Sequence, residues 1–239
     1  MSGNNWTVTF RIYRQKGDEP AHFDSFTLAA NPEEYALDCI ERVWAFHDRS
    51  LAFRHACHHS TCGACGMRVN GTEKLTCITR IRDVTHDGGT IRVEPLRNFP
   101  IFSDLVVDMA PLYAAMEQVD FREITPSDPV PGDGERRYLR LTDCIECGLC
   151  ISACPVAATA PSYAGPAVLA AIQRDGGDTE STKRLLDSQD GVWRCHSAFE
   201  CAAVCPSLVD PATRIMWARR QIVGEKLRRL FRREKEPRR

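Results

Sequence analysis

Cysteines are the residues of this 239-residue chain most suited to chemistry, and there are twelve of them. One run spans Cys144 to Pro155 and reads C-x2-C-x2-C-x3-C-P. In iron–sulfur proteins with this spacing, the first three cysteines hold one cubane cluster and the fourth is a ligand of a second cluster. The run therefore predicts iron–sulfur chemistry and requires a second group of cysteines elsewhere.

The second group is Cys195, Cys201 and Cys205, the last again followed by proline. Aligned with the first run, it has Ala198 at the place of Cys147. Crossed ligation then gives one site four thiolates and the other three, which predicts a 4Fe–4S and a 3Fe–4S cluster. The four-cysteine set is Cys144, Cys147, Cys150 and Cys205, and the three-cysteine set is Cys154, Cys195 and Cys201. These clusters predict an electron-transfer protein.

A third group has the spacing C-x4-C-x2-C followed by a distant cysteine, which is the plant-type pattern for a 2Fe–2S cluster. Its members are Cys57, Cys62, Cys65 and Cys77. Gly63 and Gly66 allow a loop to fold tightly around a cluster, so this spacing favours iron–sulfur over zinc. We expect His58 and His59 to be exposed loop residues rather than Rieske-like ligands, because four cysteines suffice. Cys39 lies far from any of these spacings and is predicted to be a buried small residue.

Composition narrows the class of protein further. The formal net charge is −1, which indicates no particular partner. The N-terminus lacks the basic and apolar regions of a secretory signal, so dense cysteine indicates metal binding rather than disulfides. The uncharged stretch 151–173 contains a predicted ligand and three prolines, and we do not interpret it as a membrane span. The basic C-terminal tail lacks interleaved aromatic residues, which disfavours nucleic acid as a partner.

The surrounding elements must position these cysteines. Hydrophobic periodicity and turn residues predict strands and helices in the following order. We expect strands at 7–13, 21–28, 67–69, 75–78 and 90–94. We expect a helix from Pro32 to about Phe46 capped by Asn31, a helix at 104–120 capped by Ser103, and helices at 166–174, 179–186 and 211–231. The prolines and glycines of 124–135 predict a surface loop. The predicted strands all lie in the N-terminal part and most of the predicted helices lie after them, so the fold class is α+β.

Beyond the cysteines, several stretches resemble the iron–sulfur subunit of succinate dehydrogenase and fumarate reductase. They are residues 55–67, 75–79, 93–101 and 104–109, and the resemblance covers nearly the whole chain. It implies a plant-type ferredoxin domain of the β-grasp class over 1–102. It also implies an all-α bacterial two-cluster ferredoxin-like domain over 103–239 that carries the 4Fe–4S and 3Fe–4S clusters.

The resemblance implies an oxidoreductase subunit without dicarboxylate chemistry of its own. A partner flavoprotein would oxidise succinate at FAD, and electrons would pass singly through the 2Fe–2S, 4Fe–4S and 3Fe–4S clusters to quinone. The quinone would be reduced at a transmembrane cytochrome b-type anchor of one or more subunits. The expected location is the cytoplasmic face of a prokaryotic inner membrane, where this chain would be peripheral.

At the quinone end the resemblance is incomplete. Some family members that reduce ubiquinone have tryptophans shortly after the cysteine-proline pair, whereas residues 156–160 contain no aromatic side chain. Small side chains leave room for a larger quinone, so menaquinone is the expected acceptor. Pro155 and His196 are the residues that the resemblance places near quinone, although a purely structural role remains open for His196.

Four other interpretations are compatible with parts of the sequence. A fumarate reductase subunit would have the same ligands and the opposite direction of electron flow. A subunit of a heterodisulfide-type complex would be expected to have a complete second run where this chain has Ala198. A free-standing ferredoxin needs fewer centres, and a zinc-stapled interaction module would contain zinc without iron.

Overall fold

The computed structural model describes residues 5–119, 144–172 and 179–233. The chain divides into two compact units. The first comprises Met1–Pro111 with Cys144–Ala153, and the second comprises Leu112–Asp143 with Cys154–Arg239. Residues 144–153 thus associate with the first unit, and the sequence-based domain boundary at residue 102 stays a prediction.

The first unit is built on a five-stranded mixed sheet in the order β2-β1-β5-β3-β4. The strands are β1 (Trp6–Arg14), β2 (His22–Ala30), β3 (Gly66–Val69), β4 (Thr72–Leu75) and β5 (Thr90–Glu94). Strand β1 pairs antiparallel with β2 and parallel with β5, while β3 is antiparallel to both β4 and β5. Alternation along β1 buries Val8, Phe10 and Ile12 completely, as a strand with one face on a core requires.

Helix α1 (Ala36–Phe46) contributes to the same core. It begins four residues later than the sequence indicated, so the predicted cap at Asn31 is wrong. The Asn31 side chain instead accepts a hydrogen bond from the Glu33 N–H within a turn, at 2.9 Å. At the observed start of the helix, the Asp38 carboxylate accepts from the Tyr35 N–H at 3.1 Å.

The predicted helix over 104–120 is also wrong in its first turn. Strands β6 (Ile101–Ser103) and β7 (Val106–Val107) form a small antiparallel pair, and helix α2 begins only at Ala110 and ends at Gln118. Asp104 lies between the two strands with a φ of 48°, outside the helical region. Its carboxylate is fully buried and binds backbone N–H groups distant in sequence, which excludes a helical cap at this point.

The second unit is helical in the part that the structure describes. Its helices are α4 (Gly165–Ile172), α5 (Glu180–Leu186), α6 (Glu200–Ala203) and α7 (Pro211–Arg233), whereas the short α3 (Leu149–Ala153) belongs to the first unit. Every residue of α4 is buried, and Thr179 caps α5 by accepting from the Thr182 N–H. The predictions of α4, α5 and α7 are confirmed where residues are described, while the predicted loop at 124–135 lies outside the described residues.

An α+β organisation is therefore present, with a mixed sheet in the N-terminal part and helices in the C-terminal part. Of the helices that are described, none combines the length and the apolar character needed to cross a bilayer.

Candidate metal centres

The cysteines predicted to bind a 2Fe–2S cluster lie in the loop before β3 (Cys57, Cys62 and Cys65) and in the turn after β4 (Cys77). The β3–β4 hairpin returns the chain so that the Thr76 N–H and hydroxyl both bond the Cys65 carbonyl, at 3.2 and 3.0 Å. This places Cys77 beside Cys65, and both thiols are buried, whereas Cys57 is half-buried and Cys62 is exposed. The hairpin thus brings together the cysteines that the sequence grouped.

Backbone N–H groups point at sulfur in this loop. The N–H groups of Thr61 and His59 donate to Cys57 Sγ at 3.4 and 3.5 Å. Hydrogen bonding from Thr61, followed by that from His59, lowers the pKa of the Cys57 thiol to about 5. Burial, reinforced by the neighbouring Cys65, instead raises the pKa of Cys77 to about 12. Clustered thiols with N–H···S bonds fit a bound iron–sulfur cluster.

The loop also packs directly against the first cubane run. Gly63 has a φ of +70°, and a Cβ built there would lie 2.8 Å from both the Ile145 carbonyl oxygen and Cys147 Cβ. A residue with a side chain could not be accommodated without moving one of these segments. The 2Fe–2S-type loop and the run containing Cys144, Cys147 and Cys150 are therefore in van der Waals contact.

A buried carboxylate that the sequence analysis missed holds this run in place. Glu73 on β4 is only 5% exposed and accepts a hydrogen bond from Ser152 Oγ of α3 at 2.8 Å. The Arg97 N–H donates to the same Ser152 oxygen at 2.9 Å, and Asn98 Nδ2 donates to the Ile151 carbonyl at 2.7 Å. No local signal identifies Glu73, because an acid in a short hairpin ordinarily faces solvent.

The predicted three-cysteine group encloses a cavity in the second unit. Cys154, Cys195 and Cys201 line it. Burial is the main cause that raises the pKa of Cys201, to about 12, and the nearby Cys154 and Cys195 add to it. The Ser197 N–H donates to Cys195 Sγ at 3.4 Å. Three converging thiols with an N–H···S bond again fit an iron–sulfur cluster.

Ala198 and the two residues suggested as quinone neighbours, Pro155 and His196, line the same cavity. Ala198 offers no ligand atom at the position that corresponds by spacing to Cys147. Tyr163 also lines the cavity and forms a hydrogen bond with Cys195. The sequence analysis did not assign a role to this tyrosine, because it lies outside both cysteine runs.

Helix α7 supports the Cys195 segment through Arg219. The guanidinium donates to the Val192 carbonyl at 2.8 Å, to the Cys195 carbonyl and to Ser197 Oγ at 3.3 Å. One side chain thereby holds the backbone before and at a predicted ligand, and also the Ser197 side chain that follows it.

The remaining cysteines are Cys205 and Cys39. Cys205 Sγ accepts from the Val209 N–H at 3.3 Å. It lies in the second unit, and the other three members of its predicted set lie in the first. Cys39 is fully buried, as predicted, and donates to Glu34 Oε1 at 3.1 Å. Burial, reinforced by Glu34, raises its pKa to about 12.

Comparison with known proteins places this geometry in context. A family described as a 2Fe-2S iron-sulfur cluster binding domain matches residues 9–114, and a 4Fe-4S dicluster domain matches residues 140–209. The fumarate reductase iron-sulfur subunit of Mycobacterium tuberculosis is 36% identical over 213 residues, which are 84% of this chain and 85% of that protein. The chain belongs to the family of fumarate reductase and succinate dehydrogenase iron–sulfur subunits.

Other relatives carry both names of this family. The Escherichia coli O157:H7 fumarate reductase iron-sulfur subunit is 38% identical over 215 residues, covering 85% of this chain and 87% of its own length. A mitochondrial succinate dehydrogenase [ubiquinone] iron-sulfur subunit of Oryza sativa is 30% identical over 225 residues, covering 86% and 72%. A chain of the Mycobacterium smegmatis Sdh1 complex in the apo form has a TM-score of 0.81 at 26% identity, covering 93% of this chain and 98% of that one. The protein is therefore an iron–sulfur subunit of an oxidoreductase complex of this family.

Proposed function

We propose that this chain carries electrons, one at a time, between the FAD of a flavoprotein subunit and a quinone at a membrane anchor. The observation that carries this proposal is the grouping of Cys154, Cys195 and Cys201 around one cavity with Ala198 among its lining residues. A thiolate from the first run joins two from the second there, as crossed ligation requires, and among the described residues no fourth cysteine lines the cavity. That arrangement suits a 3Fe–4S cluster.

The ligands of the other two centres follow the cysteine spacing. We assign Cys57, Cys62, Cys65 and Cys77 to a 2Fe–2S cluster in a plant-type, β-grasp ferredoxin fold, and Cys144, Cys147, Cys150 and Cys205 to a 4Fe–4S cluster in a bacterial two-cluster ferredoxin fold. When bound, the clusters supply one-electron redox chemistry. The protein side chains provide thiolates, N–H···S bonds and burial, which together set each potential.

The close approach at Gly63 supports electron transfer between the first two centres. The loop around Gly63 touches the backbone of Ile145 and Cys147, so the two sets of ligands are separated by no intervening layer of side chains. A chain that passes electrons from one cluster to the next needs its clusters close together, whereas a zinc-stapled interaction module does not. The same contact argues against three independent structural sites.

Beside the last cluster of the proposed series, the 3Fe–4S cluster, we propose that Pro155 and His196 lie near a quinone. Menaquinone is the proposed acceptor. Both residues are exposed at the cavity that holds the three-cysteine group. The partners would be an FAD-containing flavoprotein and a cytochrome b-type anchor at the cytoplasmic face of the inner membrane. Nucleic acid has no role in this assignment.

The direction of electron flow is proposed to be succinate oxidation. Relatives named as fumarate reductase and as succinate dehydrogenase support the two directions equally, so fumarate reduction is the second candidate. Comparing succinate oxidation with reduced-quinone-dependent fumarate reduction by the purified complex separates them. A faster fumarate reduction would overturn the proposed direction.

The test of the proposed function is electron paramagnetic resonance of the anaerobically purified native complex. We expect a 3Fe–4S signal in the oxidised protein and separate 2Fe–2S and 4Fe–4S signals after dithionite reduction. Two cubane signals on reduction, with no oxidised 3Fe–4S signal at full iron content, would mean that Ala198 does not leave the last cluster incomplete. Isolation without any flavoprotein partner would instead favour a free-standing ferredoxin.

A further inference from the structure

Three side chains outside the cysteine groups converge beside the 2Fe–2S-type loop. Glu41 lies on α1, His55 precedes the loop, and His58 lies within it. Glu41 Oε1 is 3.0 Å from His55 Nδ1 and 3.1 Å from His58 Nε2. The two histidine nitrogens are themselves 3.3 Å apart. Three potential ligand atoms thus form a nearly equilateral triangle.

A hydrogen bond between His55 Nδ1 and His58 Nε2 accounts for one side of this triangle, but not for the two sides that meet at Glu41 Oε1. Glu41 Oε1 is buried and has no hydrogen-bond partner of acceptable geometry among the described residues, although two imidazole nitrogens lie close to it. A buried carboxylate oxygen without a donor is costly. A bound cation would supply the partner that this buried oxygen lacks.

The dimensions of the triangle are those of a metal site. Zinc binds histidine nitrogen and carboxylate oxygen at about 2.0–2.2 Å in tetrahedral geometry. Two ligands of such an ion lie about 3.3 Å apart, which follows from the tetrahedral angle at those bond lengths. The observed separations of 3.0, 3.1 and 3.3 Å agree with this spacing.

The surrounding structure holds the two imidazoles in place. The Phe53 ring stacks on His55 with ring centres 5.0 Å apart, and the two histidine rings meet edge to face at 5.5 Å. His58 has a φ of 59°, a left-handed conformation that is unfavourable for a residue other than glycine. Strain of this kind at a convergent set of side chains is typical of ligand-binding positions.

We propose that Glu41, His55 and His58 bind one divalent transition-metal ion, with zinc as the expected metal. Two histidines and one carboxylate supply three ligands, and the exposed side of the histidines leaves the fourth position to water. The bound ion would connect α1 to the loop between Cys57 and Cys62. It would also place positive charge beside the thiolates of that loop.

The test is zinc binding by the intact iron–sulfur complex. Protein washed with chelator is dialysed against ZnCl2, and zinc and iron per chain are measured by elemental analysis. We expect one zinc per chain at unchanged iron content, and about a tenfold or greater loss of zinc affinity in Glu41→Gln. His59→Gln is the matched control, because this exposed histidine neighbours His58 and is not part of the triangle.

A spectroscopic measurement distinguishes this site from general zinc adsorption. Zinc should raise the reduction potential of the 2Fe–2S centre in the unaltered complex and in His59→Gln, because it adds positive charge nearby, and should leave the potential unchanged in Glu41→Gln. If Glu41→Gln loses iron, His55→Gln replaces it as the test variant. Absence of bound zinc, or equal zinc affinity in Glu41→Gln and His59→Gln, would overturn the proposal.

Discussion

At Ala198 a methyl group lines the cavity shared by Cys154, Cys195 and Cys201, at the position that corresponds by spacing to Cys147. A thiol at this position would supply the ligand that a complete cubane cluster needs. We therefore expect Ala198→Cys to convert the 3Fe–4S cluster into a 4Fe–4S cluster and to lower its reduction potential, since a fourth thiolate adds negative charge. Iron analysis and potentiometric spectroscopy measure both effects.

The control for this variant is Ala203→Cys, which introduces the same thiol on an exposed position of the neighbouring helix α6. It should keep the 3Fe–4S signal. If an Ala198→Cys protein holds four irons at this site and its reduction potential is unchanged, then the number of thiolates does not set that potential.

Gly63 tests the contact between the 2Fe–2S-type loop and the first cubane run. Gly63→Ala places a Cβ 2.8 Å from the Ile145 carbonyl and Cys147 Cβ, in addition to the left-handed backbone cost of roughly 1–2 kcal/mol. Gly88 has a similar φ of +76° with open space around it. We expect Gly63→Ala to lose most of its 2Fe–2S signal and part of its 4Fe–4S signal, and Gly88→Ala to keep both. Equal iron contents in the two variants would show that the contact is not needed.

Among the elements, the β6–β7 pair depends on Asp104 for its attachment to the sheet. One carboxylate oxygen accepts from the Gln15 N–H at 3.0 Å and the other from the Ala52 N–H at 2.9 Å. Arg14 Nε lies 3.2 Å from the first oxygen. A single buried side chain therefore joins the end of β1, the segment after α1 and the β6–β7 turn.

We expect Asp104→Asn to destabilise the first unit by about 3 kcal/mol, because the amide places an N–H group against a backbone donor and leaves Arg14 with less negative charge. Thermal loss of cluster absorbance should occur at a lower temperature. Asp108→Asn is the matched control: Asp108 caps α2 by accepting from the Ala110 N–H, which asparagine does equally well. If both variants lost their cluster absorbance at a similarly lowered temperature, the buried carboxylate of Asp104 would have no special role in stability.

The β6–β7 pair with Asp104 illustrates which features could be predicted from the sequence and which could not. Cysteine spacing and strand alternation are local properties, so the hairpin around Cys77 and helix α7 were predictable from neighbouring residues. Asp104 looked like a helix start because the apolar residues after it have helical spacing. Its buried bonds to Gln15 and Ala52 join residues far apart in the chain, and no periodicity carries that information. Glu73 and the triangle at Glu41 were missed for the same reason.

For the whole molecule, the decisive question is whether the two cysteine runs exchange their last ligands. Cys154 lies with Cys195 and Cys201 at one cavity, so by the same logic Cys205 should complete the set of Cys144, Cys147 and Cys150. We expect Cys205→Ser to remove the 4Fe–4S signal and spare the 3Fe–4S signal.

Cys195→Ser should have the reverse effect, because Cys195 belongs to the three-cysteine set. The 2Fe–2S signal, whose ligands precede both runs, serves as the internal reference for a folded protein. Cys39→Ser is the control. It removes a buried thiol that belongs to none of the three ligand sets, so it should keep all three signals. If Cys205→Ser abolished the 3Fe–4S signal and spared the 4Fe–4S signal, Cys205 would belong to the last cluster together with Cys195 and Cys201. Each run would then not exchange its final cysteine, and the order of the centres derived from crossed ligation would have to be abandoned.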